Sequence, residues 1–167
     1  NNSHYTDPRV IHWIWAALRR LGFQGGNILE PSAGVGHFLG CMPADIAQRS
    51  RVTAIELDRI SGRILRSLYG ACGVDVRIGG FEAATLAEGT YDLILSNVPF
   101  GRYGVVDPNY RRGSLITRAI HDYFLGRSIE SWFDVRVDRA LEGGLALSRN
   151  ALDYLIRETT NRATQIA

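Results

Sequence analysis

The stretch NILEPSAGVGHFLG, residues 27–40, joins a short apolar run to a glycine-rich turn. The apolar run favours a β-strand, and the pattern after the glycines predicts a helix that begins near Val35. Gly34 and Gly36 allow the backbone to approach a ligand closely, beside the free N–H groups of a helix N-terminus. A tight strand-to-helix turn without a ligand is the alternative interpretation, because a single Gly-x-Gly is a weak signal.

The rest of the chain alternates between predicted helices and predicted strands. Apolar residues recur at helical spacing from Val10 to Leu21, after Asp7 and Pro8, which are typical of a helix start. Further strands are predicted over residues 51–58, 74–81, 91–97 and 143–148, and further helices over residues 60–73, 115–129 and 151–160. In the first of these helices, one apolar face is predicted from Ile60, Ile64, Leu65 and Leu68. The alternation predicts an α/β fold with a doubly wound, mostly parallel sheet.

Composition and charge narrow the class of protein. The chain has 167 residues, of which 46% are hydrophobic and 22% charged, and this predicts one globular domain with its own core. No apolar run approaches the roughly 18 residues that a membrane-spanning helix needs. The formal net charge of +2 is too small to indicate nucleic acid by itself. Cys41 and Cys72 lack metal-ligand spacing, so we predict reduced thiols in a cytoplasmic protein without a bound metal.

Acidic residues end the first two predicted strands. Glu30 would repel a pyrophosphate and would suit a cofactor that carries a positive charge. Glu56 follows Gly36 by twenty residues, and a carboxylate at such a strand end can accept hydrogen bonds from both ribose hydroxyls of an adenosine. Two alternatives remain open: Asp58 as the ribose acceptor, or Glu56 as a surface acid beside the next helix. We expect Asp58 to cap that helix.

The sequence SNVPF, residues 96–100, ends the fourth predicted strand. On its own it favours an Asn-Pro turn, because Asn can hydrogen-bond its own backbone and Pro fixes φ. The turns at residues 30–38, 55–58 and 96–100 all follow strands of a parallel sheet, however. Their side chains should therefore meet at one edge of that sheet, where such folds bind ligands.

In order and spacing, EPSAGVGHF, IELD and SNVPF resemble the Rossmann-like methyltransferases that use S-adenosylmethionine. SNVPF resembles the Asn-Pro-Pro-Phe/Tyr motif of amino-group methyltransferases, especially adenine-specific DNA methyltransferases. HYTDP, residues 4–8, is similar to a Tyr-Thr-x-Pro element that helps to hold the methionine end of the cofactor. The wider stretch from residue 5 to residue 124 resembles methylase domains of large helicase-like proteins from plasmids and phages.

The resemblance implies roles for individual residues. It implies a cofactor site formed by Tyr5, Thr6, Glu30, Pro31, Ser32, Ala33, Gly34, Gly36, Glu56, Leu57, Phe81 and Asn97, and catalytic roles for Asn97, Val98, Pro99 and Phe100. The Asn97 side-chain oxygen and the Val98 carbonyl would each accept one N–H of the target amine. Pro99 would stiffen the turn, and Phe100 would stack on an extruded base. Phe81 could flank the adenine of the cofactor or pack in the core.

Two departures from this pattern affect the prediction. Val98 replaces the first proline of the motif but retains the backbone carbonyl that the motif uses. After the strand predicted over residues 143–148, the sequence has room for one more helix, so we expect a sheet that is truncated after its fifth strand. We therefore expect residues 1–167 to form a single methyltransferase-like catalytic domain, as a fragment of a longer protein, without a target-recognition domain.

The implied activity is methyl transfer to the exocyclic amine of adenine in DNA, in the context of restriction-modification in a plasmid or phage. RNA bases and protein glutamine are alternative acceptors, and a cofactor-binding or DNA-binding module without turnover is a third interpretation. DNA is the favoured partner over RNA, and no membrane is expected. Residues 102–112 carry three Arg and one acid, which favours either phosphate contact or a solvated face.

Overall fold

A parallel sheet of four strands organises the protein. The computed structural model describes residues 5–86, 89–101, 104–107 and 119–132. In chain order the strands are β1 (Asn27–Glu30), β2 (Arg51–Glu56), β3 (Asp75–Ile78) and β4 (Leu93–Ile94). They lie in the order β3-β2-β1-β4, and every neighbouring pair is parallel.

Helices connect and cover the strands. They are α1 (Pro8–Arg20), α2 (His37–Gly40), α3 (Ala44–Ala47), α4 (Arg59–Tyr69) and α5 (Ile120–Trp132), with short 3₁₀ turns at Gly70–Cys72 and Phe81–Ala83. Helix α1 begins as its sequence predicts: the Asp7 side chain accepts a hydrogen bond from the Arg9 N–H at 2.8 Å, and Pro8 occupies the first turn. None of the described helices is long and apolar enough to span a membrane.

Each face of the sheet packs into its own hydrophobic cluster. Side chains that alternate along a strand point to opposite faces. Ile28 of β1 therefore packs in a cluster with residues of α1, α2, α3 and α4, whereas Leu29 packs with residues of α5. Because both faces are covered, the predicted doubly wound α/β fold is confirmed.

Helix α4 contacts the sheet through a different face from the one that its sequence predicts. Leu65 is fully buried, but Ile60 is 72% exposed and Ile64 and Leu68 are also exposed. The cause is Gly62, where an added Cβ would lie 2.9 Å from Cγ1 of Ile78. The helix approaches β3 most closely at this glycine, so its apolar row at residues 60, 64 and 68 is rotated away from the sheet.

The strands are shorter than their sequence predicts. β4 has two residues instead of the predicted residues 91–97. Hydrogen bonds to β1 nevertheless continue beyond both ends of β4. The Asp92 N–H donates to Asn27 O at 2.8 Å, and the Leu95 N–H donates to Leu29 O at 3.0 Å. The strand predicted over residues 143–148 and the helix predicted over residues 151–160 lie outside the described residues.

Candidate active site

A cavity of about 800 Å³ lies at the carboxyl ends of the strands. The turns after β1, β2 and β4 all contribute to its lining, as expected for a parallel sheet. Every residue that the sequence assigns to the cofactor site or the catalytic turn lines this cavity, except Gly36. The structure thus brings the predicted residues together, while their individual roles stay predictions.

The two glycines of the first turn have different surroundings. Both have left-handed backbone conformations, with φ of 58° at Gly34 and 89° at Gly36. A Cβ added at Gly34 would have no atom within 4 Å, whereas one added at Gly36 would lie 2.5 Å from Cε2 of Tyr69. Gly34 therefore leaves space in the cavity for a ligand. Gly36 instead allows α4 to pack against the turn.

Glu30 is a buried carboxyl group at the end of β1. Its residue is 2% exposed, and its Oε2 atom has no hydrogen-bond partner among the described residues. Burial raises the pKa of Glu30 well above its usual range, and the nearby charge of Glu56 raises it further. The free oxygen can accept a hydrogen bond from a ligand in the cavity, and the cationic nature of that ligand stays a prediction.

Glu56 connects the turn after β1 to the end of β2. Its Oε2 accepts a hydrogen bond from the Gly34 N–H at 2.7 Å, and its Oε1 accepts one from the Asp58 N–H at 2.7 Å. Each carboxylate oxygen can accept a further hydrogen bond, so the proposed ribose contacts are compatible with this geometry. Asp58 caps α4 as expected, because its Oδ2 accepts from the Ser61 N–H at 2.8 Å, and this bond lowers the pKa of Asp58.

A pair of serine hydroxyls joins the first turn to the SNVPF turn. Ser32 Oγ lies 2.8 Å from Ser96 Oγ and donates a hydrogen bond to Asn97 O at 3.0 Å. Since the single Ser32 hydroxyl proton is used in the bond to Asn97, Ser96 is the donor to Ser32. This connection fixes the backbone of Asn97 relative to the glycine-rich turn. Sequence reasoning assigned Ser32 to the cofactor site but missed its link to Ser96.

The aromatic residues of the site differ in exposure. Phe100 is 66% exposed, and its ring centroid lies 6.0 Å from that of His121. Phe81 is 2% exposed and packs against Phe124 at 4.9 Å, yet it also lines the cavity. Phe100 is therefore available to an incoming flat group. Phe81 is a core residue that presents part of its surface to the cavity.

Other groups complete the entrance of the cavity. The Tyr5 ring lies 4.9 Å from the His37 ring, and both residues line the cavity. Leu57 is exposed beside Glu56. Within the described residues, no group of three or more His, Cys, Asp or Glu side chains could hold a metal ion.

Comparison with known proteins found curated relatives for part of the chain, while no family model matches it. Over 102 residues the chain is 33% identical to Defense against restriction protein B of Escherichia phage P1, a match that covers 60% of this chain and 4% of that protein. Over 90 residues it is 38% identical to malonyl-[acyl-carrier protein] O-methyltransferase of Methylococcus capsulatus, covering 52% of this chain and 32% of that protein. The chain thus spans a minor part of each relative.

Solved structures share the fold at low sequence identity. A protein from Listeria monocytogenes described as a class I S-adenosylmethionine-dependent methyltransferase superposes with a TM-score of 0.53 and 18% identity, over 76% of this chain and 43% of its own. The modification subunit of a type I restriction enzyme from Vibrio vulnificus superposes with a TM-score of 0.60 and 14% identity, over 77% of this chain and 30% of its own. The chain therefore has the Rossmann-like α/β fold of class I S-adenosylmethionine-dependent methyltransferases.

Proposed function

We propose that this chain binds S-adenosylmethionine and directs its methyl group to the exocyclic amino group of adenine in DNA. One observation carries the proposal: the glycine-rich turn and the SNVPF turn line one cavity and are joined through Ser32. We further propose that residues 1–167 are one methyltransferase domain of a longer protein. The 4% share of the phage relative supports this part of the proposal.

The residues at the first two strand ends fit S-adenosylmethionine. The free oxygen of Glu30 is suited to a positively charged group, and the cofactor carries both an ammonium and a sulfonium. The open space at Gly34 allows a ligand to approach the backbone, and Glu56 retains acceptor capacity for ribose hydroxyls. When bound, the cofactor supplies an electrophilic methyl group.

The SNVPF turn fits an amine acceptor. An exocyclic amine is a weak nucleophile because its lone pair is delocalised into the ring. The Asn97 side-chain oxygen and the Val98 carbonyl would each accept one N–H, which favours a pyramidal nitrogen as positive charge develops on it. Phe100 is exposed and can stack on the base, which must leave a duplex to reach the cavity.

The names of the relatives favour DNA over other acceptors. The phage relative is named for defence against restriction, and the structure from Vibrio vulnificus is a modification subunit of a restriction enzyme. The Methylococcus relative is an O-methyltransferase, but a carboxyl acceptor has no N–H pair for two acceptor oxygens to bind. RNA, protein glutamine and a binding role without turnover remain the alternatives that an experiment must separate.

Transfer of a labelled methyl group tests the proposed function. The chain and its longer parent are incubated with labelled S-adenosylmethionine and with DNA, RNA or protein. We expect label in DNA that contains adenine, and none in matched DNA in which hypoxanthine replaces adenine, because hypoxanthine lacks the amino group. Label in RNA or protein alone would contradict the proposed acceptor, and cofactor binding without any transfer would indicate a binding module.

Cofactor affinity should depend on pH through Glu30. Because the pKa of Glu30 is raised above 4.5, the group becomes charged only at higher pH, and affinity for the cationic cofactor should increase as the pH rises through that raised pKa. The increase should reach at most about tenfold per pH unit, since one proton is released. In the absence of cofactor, the stability of the protein should change in the opposite direction. The folded state holds the Glu30 proton more tightly than the unfolded state, so the free energy of unfolding should fall as the pH rises over the same range.

Glu30→Gln is the matched variant for this measurement. Calorimetry should show weaker binding with a flatter pH dependence, and thermal unfolding without cofactor should lose the fall in stability at higher pH. The demethylated product is a useful second ligand, because it lacks the sulfonium charge and retains the ammonium. An unchanged pH dependence in Glu30→Gln would exclude Glu30 as the group that binds the cation.

DNA affinity should depend on salt through the basic segment at residues 102–112. Arg111 and Arg112 lie outside the described residues, and their role is proposed from the sequence. If both contact phosphates, Arg111→Ala with Arg112→Ala should reduce the slope of log affinity against log salt by about 2, or about 1 for each contact. Arg19→Ala with Arg49→Ala is the matched control, since both pair with Asp45 and neither lines the cavity. An equal slope in both double variants would indicate a solvated segment without phosphate contacts.

A further inference from the structure

A buried carboxylate lies in the segment that follows the SNVPF turn. The Asp107 side chain is fully inaccessible to solvent, and burial of an ionised carboxylate is unfavourable unless partners compensate it. Two partners come from α5: Arg127 Nη1 donates to Asp107 Oδ2 at 2.5 Å, and the Tyr123 hydroxyl donates to the same oxygen at 2.6 Å. Arg127 Nη1 also lies 3.1 Å from the Tyr123 hydroxyl.

The same guanidinium reaches a second segment, which follows β3 in the chain. Arg127 Nη2 donates to Ala84 O, and Nη1 lies 3.4 Å from Glu82 O. The guanidinium carbon also lies 5.1 Å from the centroid of the Phe81 ring, within the range of a cation–π contact. Arg127 therefore contacts residues 81–84 and residue 107 at the same time.

Both segments line the candidate active site. Phe81 and Glu82 of the first segment and Gly104 and Val105 of the second all line the cavity, and Val105 packs against the hydrophobic cluster that contains Phe81. A planar guanidinium has five N–H donors in a fixed arrangement, so it can hold two backbone segments at a defined separation. A lysine has one flexible ammonium group and cannot satisfy both segments in the same geometry.

We propose that Arg127 is a positioning residue, which acts through Asp107 and the carbonyls of residues 82 and 84 to fix residues 104–107, which follow the SNVPF turn, relative to residues 81–84 of the cavity lining. This proposal rests on the proposed methyl transfer. In-line transfer requires the amine and the methyl group to be aligned within fractions of an ångström. Arg127 does not line the cavity, so its loss should change the alignment of the two segments and leave Glu30, Gly34 and Glu56 in place.

Arg127→Lys tests whether Arg127 fixes residues 104–107 relative to residues 81–84. It retains the charge beside Asp107 and removes the simultaneous contacts with residues 82 and 84. We expect cofactor affinity within about threefold of the original protein and kcat about tenfold lower, because misalignment reduces the rate more than binding. Hydrogen exchange should become faster at residues 104–107 and stay unchanged at residues 30–40.

The matched control is Arg19→Lys, since Arg19 pairs with Asp45 at 2.5 Å on an exposed surface outside the cavity. That variant should leave kcat, cofactor affinity and exchange unchanged. If Arg127→Lys does not fold, the double variant Asp107→Asn with Arg127→Gln, which removes both charges and retains hydrogen-bonding groups, is measured in the same way.

Two results would contradict the proposed role of Arg127. One is a variant with the original exchange at residues 104–107 and the original kcat. The other is a parallel loss of cofactor affinity, kcat and thermal stability with faster exchange throughout the chain, which would indicate a purely structural ion pair. If the original protein binds cofactor and transfers no methyl group to any acceptor, the proposed function fails, and hydrogen exchange still decides whether Arg127 joins residues 104–107 to residues 81–84.

Discussion

Asn97→Ala is expected to reduce methyl transfer by roughly 10²–10³-fold and to leave cofactor affinity almost unchanged. Loss of one of two hydrogen-bond acceptors that stabilise the transition state costs about 3–4 kcal/mol in the barrier. Asn97 is also assigned to the cofactor site by the resemblance, but cofactor affinity should persist because Glu30, Gly34 and Glu56 at the first two strand ends are unchanged in this variant. The measurement is single-turnover transfer to adenine-containing DNA, with calorimetry of the cofactor in parallel.

Two further variants define the role of Asn97. Asn97→Asp should be less damaging than alanine, because it retains an acceptor oxygen and adds a charge. Asn27→Ala is a structural control: the Asn27 side chain donates to Thr90 O at 3.0 Å at the opposite end of β1, so its loss tests general weakening of the sheet. If Asn97→Ala transfers methyl groups at the original rate, the SNVPF sequence forms only a turn.

Gly34→Asp is expected to weaken binding of S-adenosylmethionine by about 100-fold. The space that a Cβ would enter at Gly34 contains no protein atom within 4 Å, so the new side chain would occupy the volume reserved for the ligand. Overpacking of this kind costs up to about 3 kcal/mol. Asp and Asn tolerate the left-handed backbone better than most residues, so the fold should survive.

The control for this effect is Gly73→Asp. Gly73 has φ of 85° and no atom within 4 Å of an added Cβ, and it does not line the cavity. Calorimetry should show original affinity in Gly73→Asp and weak binding in Gly34→Asp, while Gly34→Asn separates side-chain size from charge. Tight binding by Gly34→Asp, or preferential binding of NAD by the original protein, would contradict the assignment of this turn to S-adenosylmethionine.

The sequence predicts the alternation of strands and helices well and predicts packing faces less well. Periodicity places α1, β1, β2 and β3 within a few residues of their positions in the structure, because local apolar patterns decide these elements. It fails for α4 because the contact face depends on how closely Gly62 approaches Ile78. This contact joins two segments that lie sixteen residues apart in the sequence, so a local pattern of apolar residues cannot predict it.

A similar limit applies to the candidate site. The three turns were predictable because parallel strands bring their carboxyl ends to one edge, whatever the details of packing. The placement of Gly36 against Tyr69, and the bonds among Asp107, Tyr123 and Arg127, depend on tertiary contacts between distant segments. A lone Asp in a basic segment predicts an exposed acid, and only the position of α5 reveals that Asp107 is buried.

The central position of β1 has a consequence for synthesis of the chain on the ribosome. Asn27 receives a hydrogen bond from the Asp92 N–H at 2.8 Å, and β1 lies between β2 and β4. Its second neighbour is therefore made only after about 65 further residues, which takes roughly 3–13 s at 5–20 residues per second. Throughout this interval one edge of β1 has no native partner, and Ser32 cannot form its bonds with Ser96 and Asn97. The SNVPF turn and the glycine-rich turn can therefore come together only after residues 93–100 have been made.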